Sequence, residues 1–221
     1  METLSSLFVP PAEGGGMEIN MINVKDIKKL TDTKFVNLYD AHGFNSKGHE
    51  SHYNVASRAD SIEKLKITTR RNDPDGVIIY ALYGDKKDKV VAIRQYRYPI
   101  DNFVYELPAG LMEQGENMEE AAIRELHEET GLSFHPIKCD KMFTEARFTT
   151  VGLTDESVGI IYGYAEGELS NKYAEESEEI QVLLLDRDEV RRILKEELVA
   201  MPFAFQLMHF IHDKEPFGFL S

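Results

Sequence analysis

Two apolar runs dominate the middle of the chain. Val77 to Tyr83 and Val90 to Tyr96 are almost continuously hydrophobic, with Gly84-Asp85-Lys86-Lys87-Asp88 between them. Apolar runs of this length, bounded by turn residues, predict two strands joined as a hairpin. The same reasoning predicts strands at Met142 to Phe148, Val158 to Tyr164 and Ile180 to Leu185, the last one buried. Helical spacing appears three times. Met118, Ala122 and Leu126 fall on one stripe and predict a helix over Met118 to Thr130. Asn117 stands at its start with Glu120 three residues on, and Gly131 supplies a left-handed end. Asp186-x-x-Glu189 opens a second helix with apolar Val190, Ile193, Leu194 and Leu198. Pro202 starts a third, whose Phe203, Leu207, Phe210 and Ile211 read as core packing.

The first third of the chain is patterned differently. Residues 1–16, ending Pro-Pro-Ala-Glu-Gly-Gly-Gly before Met17, read as a flexible leader of non-native or alternative-start origin. Val24 to Leu30 predicts a short helix, and Phe35 to Ala41 and Ser51 to Ala59 predict strands, with Ile62 to Thr69 a third. Three short strands are marginal alone and need a surface to pack on. The turn Asn72-Asp73-Pro74-Asp75-Gly76 then marks a boundary, giving an N-terminal β-subdomain over 17–75 and a larger domain over 76–221. Strands interleaved with a central helix and closing helices imply an α/β/α sandwich around a mixed sheet, with the small antiparallel sheet attached.

Composition narrows the function classes. A net charge of −14 over 221 residues argues against binding duplex nucleic acid, which needs Lys and Arg on phosphates. Cys139 is the sole cysteine, so there is no internal disulfide framework and a reducing compartment fits. No run approaches the ~18 apolar residues of a membrane span, and no signal-peptide pattern opens the chain, so a cytoplasmic protein is expected. Much of the acid is concentrated in Glu113 to Glu129 and Glu175 to Glu179.

That concentration has chemical content in the predicted helix, where Glu125, Glu128 and Glu129 share a face at i, i+3 and i+4. Such a face is either simply solvated or a place for a hard divalent cation, which takes carboxylate and phosphate oxygens. Around it runs a spaced pattern in GLMEQGENMEEAAIRELHEETGL: Gly110, Glu116, Arg124, Glu125, Glu128, Glu129 and Gly131. This stretch resembles the Nudix box at each fixed position. The preceding Glu106-Leu107-Pro108-Ala109-Gly110 is similar to the loop before the box in the ADP-ribose and nucleotide-sugar pyrophosphatase branch.

The resemblance implies a Nudix fold and hydrolysis of a nucleoside diphosphate compound with Mg2+, for which Mn2+ substitutes. It implies that Glu125, Glu129 and the Ala109 carbonyl ligate metal, that Glu128 is a further ligand or acceptor, and that Glu116 and Arg124 pair structurally. His127 sits at a variable position and reads as solvated. The general base of the branch is a glutamate on a loop after the box; the matching segment assigns it to Glu176, with Glu178 in support and Glu156, on a loop that reaches substrate in relatives and so a substrate-binding candidate, as the rival. Arg97 is the first candidate for substrate phosphates, ahead of Arg94 and Arg147, and Arg58 matches a position that reaches substrate. Phe103 and Tyr105 are candidates to stack on a base or sugar, with packing the alternative. The N-terminal sheet implies a homodimer. One departure concerns the loop after the box, Thr149 to Glu156: Val151 stands where proline is the rule, which bears on the choice of substrate. The expected activity is release of a nucleoside monophosphate and a sugar phosphate from ADP-ribose or a related nucleotide sugar. The rivals are GDP-mannose or another nucleotide sugar, and a sensing domain that binds without cleaving.

Overall fold

The structure is a computed structural model that describes residues 23–170 and 179–220. The leader, Glu176 and Glu178 lie outside these residues. The chain opens with β1 (Asn23–Lys29), β2 (Asn37–Phe44) and β3 (Glu50–Ser57), an antiparallel sheet in the order β1-β2-β3. Val24 to Leu30 is therefore a strand and not the expected helix, and the reason is a bulge. Val24 pairs with Gly43 but Asp26 with His42, which leaves Lys25 as an extra residue. That extra residue puts Val24 and Ile27 on one face of a strand, although their spacing of three is a helical one.

The expected third strand at Ile62 to Thr69 is instead a 3-10 turn (Ile62–Lys64) followed by the one-turn α1 (Lys66–Thr69). Its β-branched residues are overridden by Leu65, 2 % exposed, which turns inward, and by Arg70 at φ 59°, which closes the turn. The linker is clamped by Lys66, whose Nζ lies 2.6 Å from Asp75 Oδ2 with both side chains largely buried.

The larger part begins with β4 (Gly76–Tyr83), β5 (Lys89–Arg97), β6 (Asn102–Glu106) and β7 (Ala109–Leu111), followed by α2 (Met118–Thr130) and β8 (Ser133–Pro136). Then come α3 (Lys141–Thr144), β9 (Arg147–Phe148), β10 (Ser157–Glu166), β11 (Ile180–Leu185), α4 (Arg187–Glu196) and α5 (Met201–His212). The sheet order is β11-β5-β4-β10-β8, with β10 parallel to β4 and the other pairings antiparallel.

Alternation along β4 shows how two layers of helix are held. Val77, Ile79 and Ala81 pack with Ala121, Ala122 and Leu126 of α2. Ile78, Tyr80 and Leu82 pack with Val190, Ile193, Phe203, Leu207 and Phe210 of α4 and α5. A strand buried on both faces reads as a continuous apolar run, which is why the pattern was legible. The expected α/β/α sandwich over a mixed sheet, with its small antiparallel companion, is the observed architecture.

Two expectations here need correction. Met142 to Phe148 is not a strand: Asp140 accepts the Met142 N–H at 2.8 Å and starts α3, leaving only Arg147–Phe148 to pair with β10. Ile180 to Leu185 is a strand, but it is the sheet's edge, half-buried apart from exposed Gln181 and buried Leu185.

One feature of the sheet positions the site. The β4–β5 hairpin pairs only at Leu82–Val90 and Tyr83–Lys89, then splits. β6 pairs with the far end of β5, and β7 with the start of β4. The Glu106-to-Leu111 stretch thus runs through the opening and brings Gly110 beneath α2.

Candidate active site

Helix α2 is fixed at both ends by its own sequence. The Asn117 side chain accepts the N–H groups of Glu119 and Glu120 at 3.0 Å each, and the Glu120 carboxylate accepts the Asn117 N–H at 2.9 Å. This reciprocal capping satisfies donors that a helix otherwise leaves open. At the other end Gly131 has φ 76°, and Thr130 O accepts the Ser170 N–H at 2.8 Å. A side chain at Gly131 would suffer both strain and a clash, since a Cβ there would lie 2.9 Å from Ser170 N.

Between these ends Arg124 organises the carboxylates. Its Nε and Nη2 hold both oxygens of Glu116 at 2.9 Å, as a planar fork. Nη1 donates to Glu125 Oε1 at 2.8 Å and to Glu128 Oε2 at 3.0 Å, while Nη2 also reaches the Leu111 carbonyl at 3.0 Å. Five donors serve four partners, so the guanidinium ties α2 to β7 as well as fixing three side chains. Hydrogen bonding from Arg124 holds the Glu116 carboxyl below the ordinary glutamate range, and Glu116 in turn is the first cause raising Arg124 above the ordinary arginine value.

The role of Gly110 is spatial. A Cβ built on it would lie 1.8 Å from Cδ of Glu125 and just over 2 Å from both its oxygens. The Glu125 carboxyl therefore occupies the volume a side chain would need, directly over the β7 backbone. Ala109, the expected carbonyl ligand, is the adjacent residue. Glu129 follows one turn later on α2 and is only 5 % exposed, whereas the Glu128 side chain is 47 % exposed.

Oxygen donors are hard ligands that fit Mg2+ or Mn2+. Three carboxylates, Glu116, Glu125 and Glu128, share a single guanidinium, with a fourth, Glu129, one turn along the same helix from Glu125, and a divalent ion would offset that excess of negative charge. His127, at the neighbouring helical position, is exposed, as expected.

The other arginine candidates are each paired with a carboxylate or an aromatic ring. Arg97 is held by Glu106 through two contacts of 2.7 Å, three residues before Ala109. Arg58, just past β3, donates to Glu156 at 2.8 Å, so two residues expected to meet substrate meet each other. The Thr149 to Glu156 loop keeps a compact turn with Val151 in place of proline: the Thr150 carbonyl accepts the N–H groups of Leu153 and Thr154 at 2.8 and 3.0 Å. It leans on β3, where the Ala56 N–H donates to Leu153 O at 2.9 Å and the Tyr53 hydroxyl to Gly152 O.

Arg147 is engaged by Glu145 at 2.9 Å, and Arg94 lies over the Phe103 ring at 4.2 Å; Tyr105 is buried in the core. Sequence reasoning gave no role to Glu106, Tyr53 or the Leu111 carbonyl. Glu106 stood in view beside Ala109-Gly110, but its partner on β5 became apparent only once β5 and β6 were paired.

Comparison with known proteins agrees with this geometry. The NUDIX domain matches residues 73–206. An ADP-ribose pyrophosphatase of Saccharomyces cerevisiae is 29% identical over 174 residues, covering 76% of this chain and 71% of that protein. A methanol dehydrogenase activator of Bacillus methanolicus is 34% identical over 154 residues, covering 66% of this chain and 78% of that protein. A solved ADP compounds hydrolase shares the fold at a TM-score of 0.61 with 16% identity, covering 82% of this chain and 86% of that one. With a domain match across more than half of its length and an intact box built as described, the chain belongs to the NUDIX family of hydrolases.

Proposed function

We propose that this protein is a metal-dependent pyrophosphatase acting on ADP-ribose or a related nucleoside diphosphate sugar. The observation that carries the reading is the Arg124 array, with Glu125 clamped between Arg124 and the Gly110 backbone and Glu129 beside it in a site of hard oxygen donors. A protein that only sensed a nucleotide sugar would have no need to hold three glutamates in this register. The kinship with the yeast ADP-ribose pyrophosphatase favours that substrate class.

A divalent ion held by Glu125, Glu129, Glu128 and the Ala109 carbonyl would neutralise diphosphate charge and lower the pKa of water. The chain's own contribution is positioning. Arg124 keeps the ligand carboxylates in fixed rotamers, which limits the reorganisation needed when substrate arrives. Arg97 and Arg58 would offer guanidinium groups to the diphosphate, each exchanging part of its present carboxylate pairing for phosphate oxygens. Water adds to one phosphorus, the bridging P–O bond breaks, and the products are a nucleoside monophosphate and a sugar phosphate. Glu176 is assigned the base that takes the water proton, with Glu178 supporting it and Glu156 the rival. The 17–75 β-subdomain is assigned to homodimerisation.

The test is monophosphate release from ADP-ribose, ADP-glucose, GDP-mannose, UDP-glucose and diadenosine compounds, with and without Mg2+. Selective Mg2+-dependent cleavage of ADP-ribose is expected. Binding without cleavage of any member would refute the enzymatic reading. Greater loss in Glu178→Gln or Glu156→Gln than in Glu176→Gln would move the base.

A further inference from the structure

On the outer face of the N-terminal sheet, away from the Arg124 array, His42, Glu50 and His52 each offer one ligand atom within 4.8 Å of the other two. We propose that these three side chains form a second metal site, selective for a borderline divalent ion of the zinc class and not for Mg2+.

The sheet register builds the site. His42 on β2 stands directly opposite His52 on β3, and Glu50 lies two residues along from His52, on the same face. The two imidazole rings stack with centroids 4.6 Å apart. His42 Nε2 lies 2.9 Å from Glu50 Oε1, a contact that a cation would take over.

Behind them, Asp40 on the same face of β2 bonds Nδ1 of His52 at 2.9 Å. A carboxylate on one ring nitrogen orients a metal-ligating histidine and leaves Nε2 to ligate. On β1, Asp26 stands opposite His42 in register and adds negative charge to the neighbourhood.

Ligand type distinguishes this site from the one on α2. Imidazole nitrogen suits zinc, copper and nickel, whereas all-carboxylate sites suit magnesium and manganese. Two histidines and one glutamate with an open position is a donor set zinc accepts. The Glu50 and His52 side chains are 65% and 59% exposed, so an ion reaches them without opening the fold. Binding would pin β2 to β3 near their hairpin turn. The ligands here stand on β2 and β3, whereas the proposed carboxylate ligands stand on α2, so the two metal sites share no residue and are separately testable.

The experiment is calorimetric titration of ZnCl2 into the metal-free full-length chain in excess Mg2+, which saturates the carboxylate site. One Zn2+ per chain that Mg2+ does not displace is expected, with a rise in melting temperature. His52→Ala and His42→Ala should each weaken binding at least tenfold, and Asp40→Asn by roughly tenfold. Glu129→Gln should leave it unchanged. Glu50→Gln, which keeps size and shape, serves if a histidine variant fails to fold. Zn2+ affinity insensitive to His42, His52 and Glu50, or lost in Glu129→Gln instead, or abolished by excess Mg2+, overturns the site. The readout is binding, so an inactive enzyme would not affect it.

Discussion

Replacing Gly110 by alanine separates activity from stability more sharply than any change to a glutamate. The new Cβ would lie 1.8 Å from Glu125 Cδ, and carbon contacts begin near 3.5 Å, so the carboxyl must retreat by roughly 1.7 Å. The obstructing atoms are the far end of a flexible side chain, so the backbone need not move. The cost to the fold is then one rotamer change and the 2.8 Å bond from Arg124, about 1–3 kcal/mol for a charge-assisted bond. For a chain of this size that corresponds to a fall in Tm of roughly 2–12 °C.

The cost to catalysis is larger, since a displacement of about 1 Å in a positioned group loses on the order of 10²-fold. Side-by-side thermal melts and Mg2+-dependent turnover of the preferred nucleotide sugar measure both. The expected result is a folded protein with kcat/KM at least ~10²-fold down. Near-normal turnover in Gly110→Ala would refute the assignment of Glu125 to the reacting centre, and wholesale unfolding would refute the claim that only a side chain stands in the way.

Other outcomes follow from the same array. Glu129→Gln keeps shape but removes the charge of a residue 5 % exposed; turnover should fall by ~10²-fold or more, with circular dichroism unchanged, and activity within a few-fold of the parent would remove it from the metal set. Arg124→Lys swaps a five-donor fork for a point charge that cannot hold Glu116 at both oxygens, so melting should drop by roughly 5 °C and kcat/KM by about 10²-fold, as differential scanning fluorimetry and initial rates would show. Because hydrogen bonds from Arg124 depress the Glu116 pKa in the folded state, Glu116 contributes stability that is complete above the ordinary glutamate value of about 4.3 and is lost as pH falls through the lower folded value. Urea melts from neutral pH down to about pH 3 should show this acid limb flattened in Glu116→Gln; an unchanged limb would mean the pair adds nothing to stability.

What could be read in the chain was what is local along it. The Asn117 cap, the left-handed Gly131 and the i, i+3, i+4 glutamates all lie within one helix and its margins, and each was found where expected. The strand character of β4 was legible for a similar reason, because a strand packed on both faces writes itself as one apolar run. Pairing over distance was not legible. Arg58 and Glu156 are 98 residues apart, so nothing near either shows that they meet. Nor does the helical spacing of Val24 and Ile27 announce that Lys25 will be an extra residue opposite β2. Asp140 before Met142 was a visible cap, outweighed in reading by the apolar residues after it. Glu176 and Glu178 rest on family resemblance, outside the described residues.

The post-box loop takes its support from a strand that contributes nothing to the box. Ala56 and Tyr53 hold Leu153 and Gly152, and Arg58 holds Glu156. The arrangement makes the enzyme evolvable in two independent registers. On the proposed function, sequence drift along β3 reshapes the neighbourhood of Val151 and with it the choice of substrate, while α2 and its glutamates stay under their own separate selection. A library confined to positions 53–56 and 149–155, which leaves Arg58 and Glu156 in place, should then be rich in altered preferences and poor in dead proteins, and one confined to 110–131 the reverse.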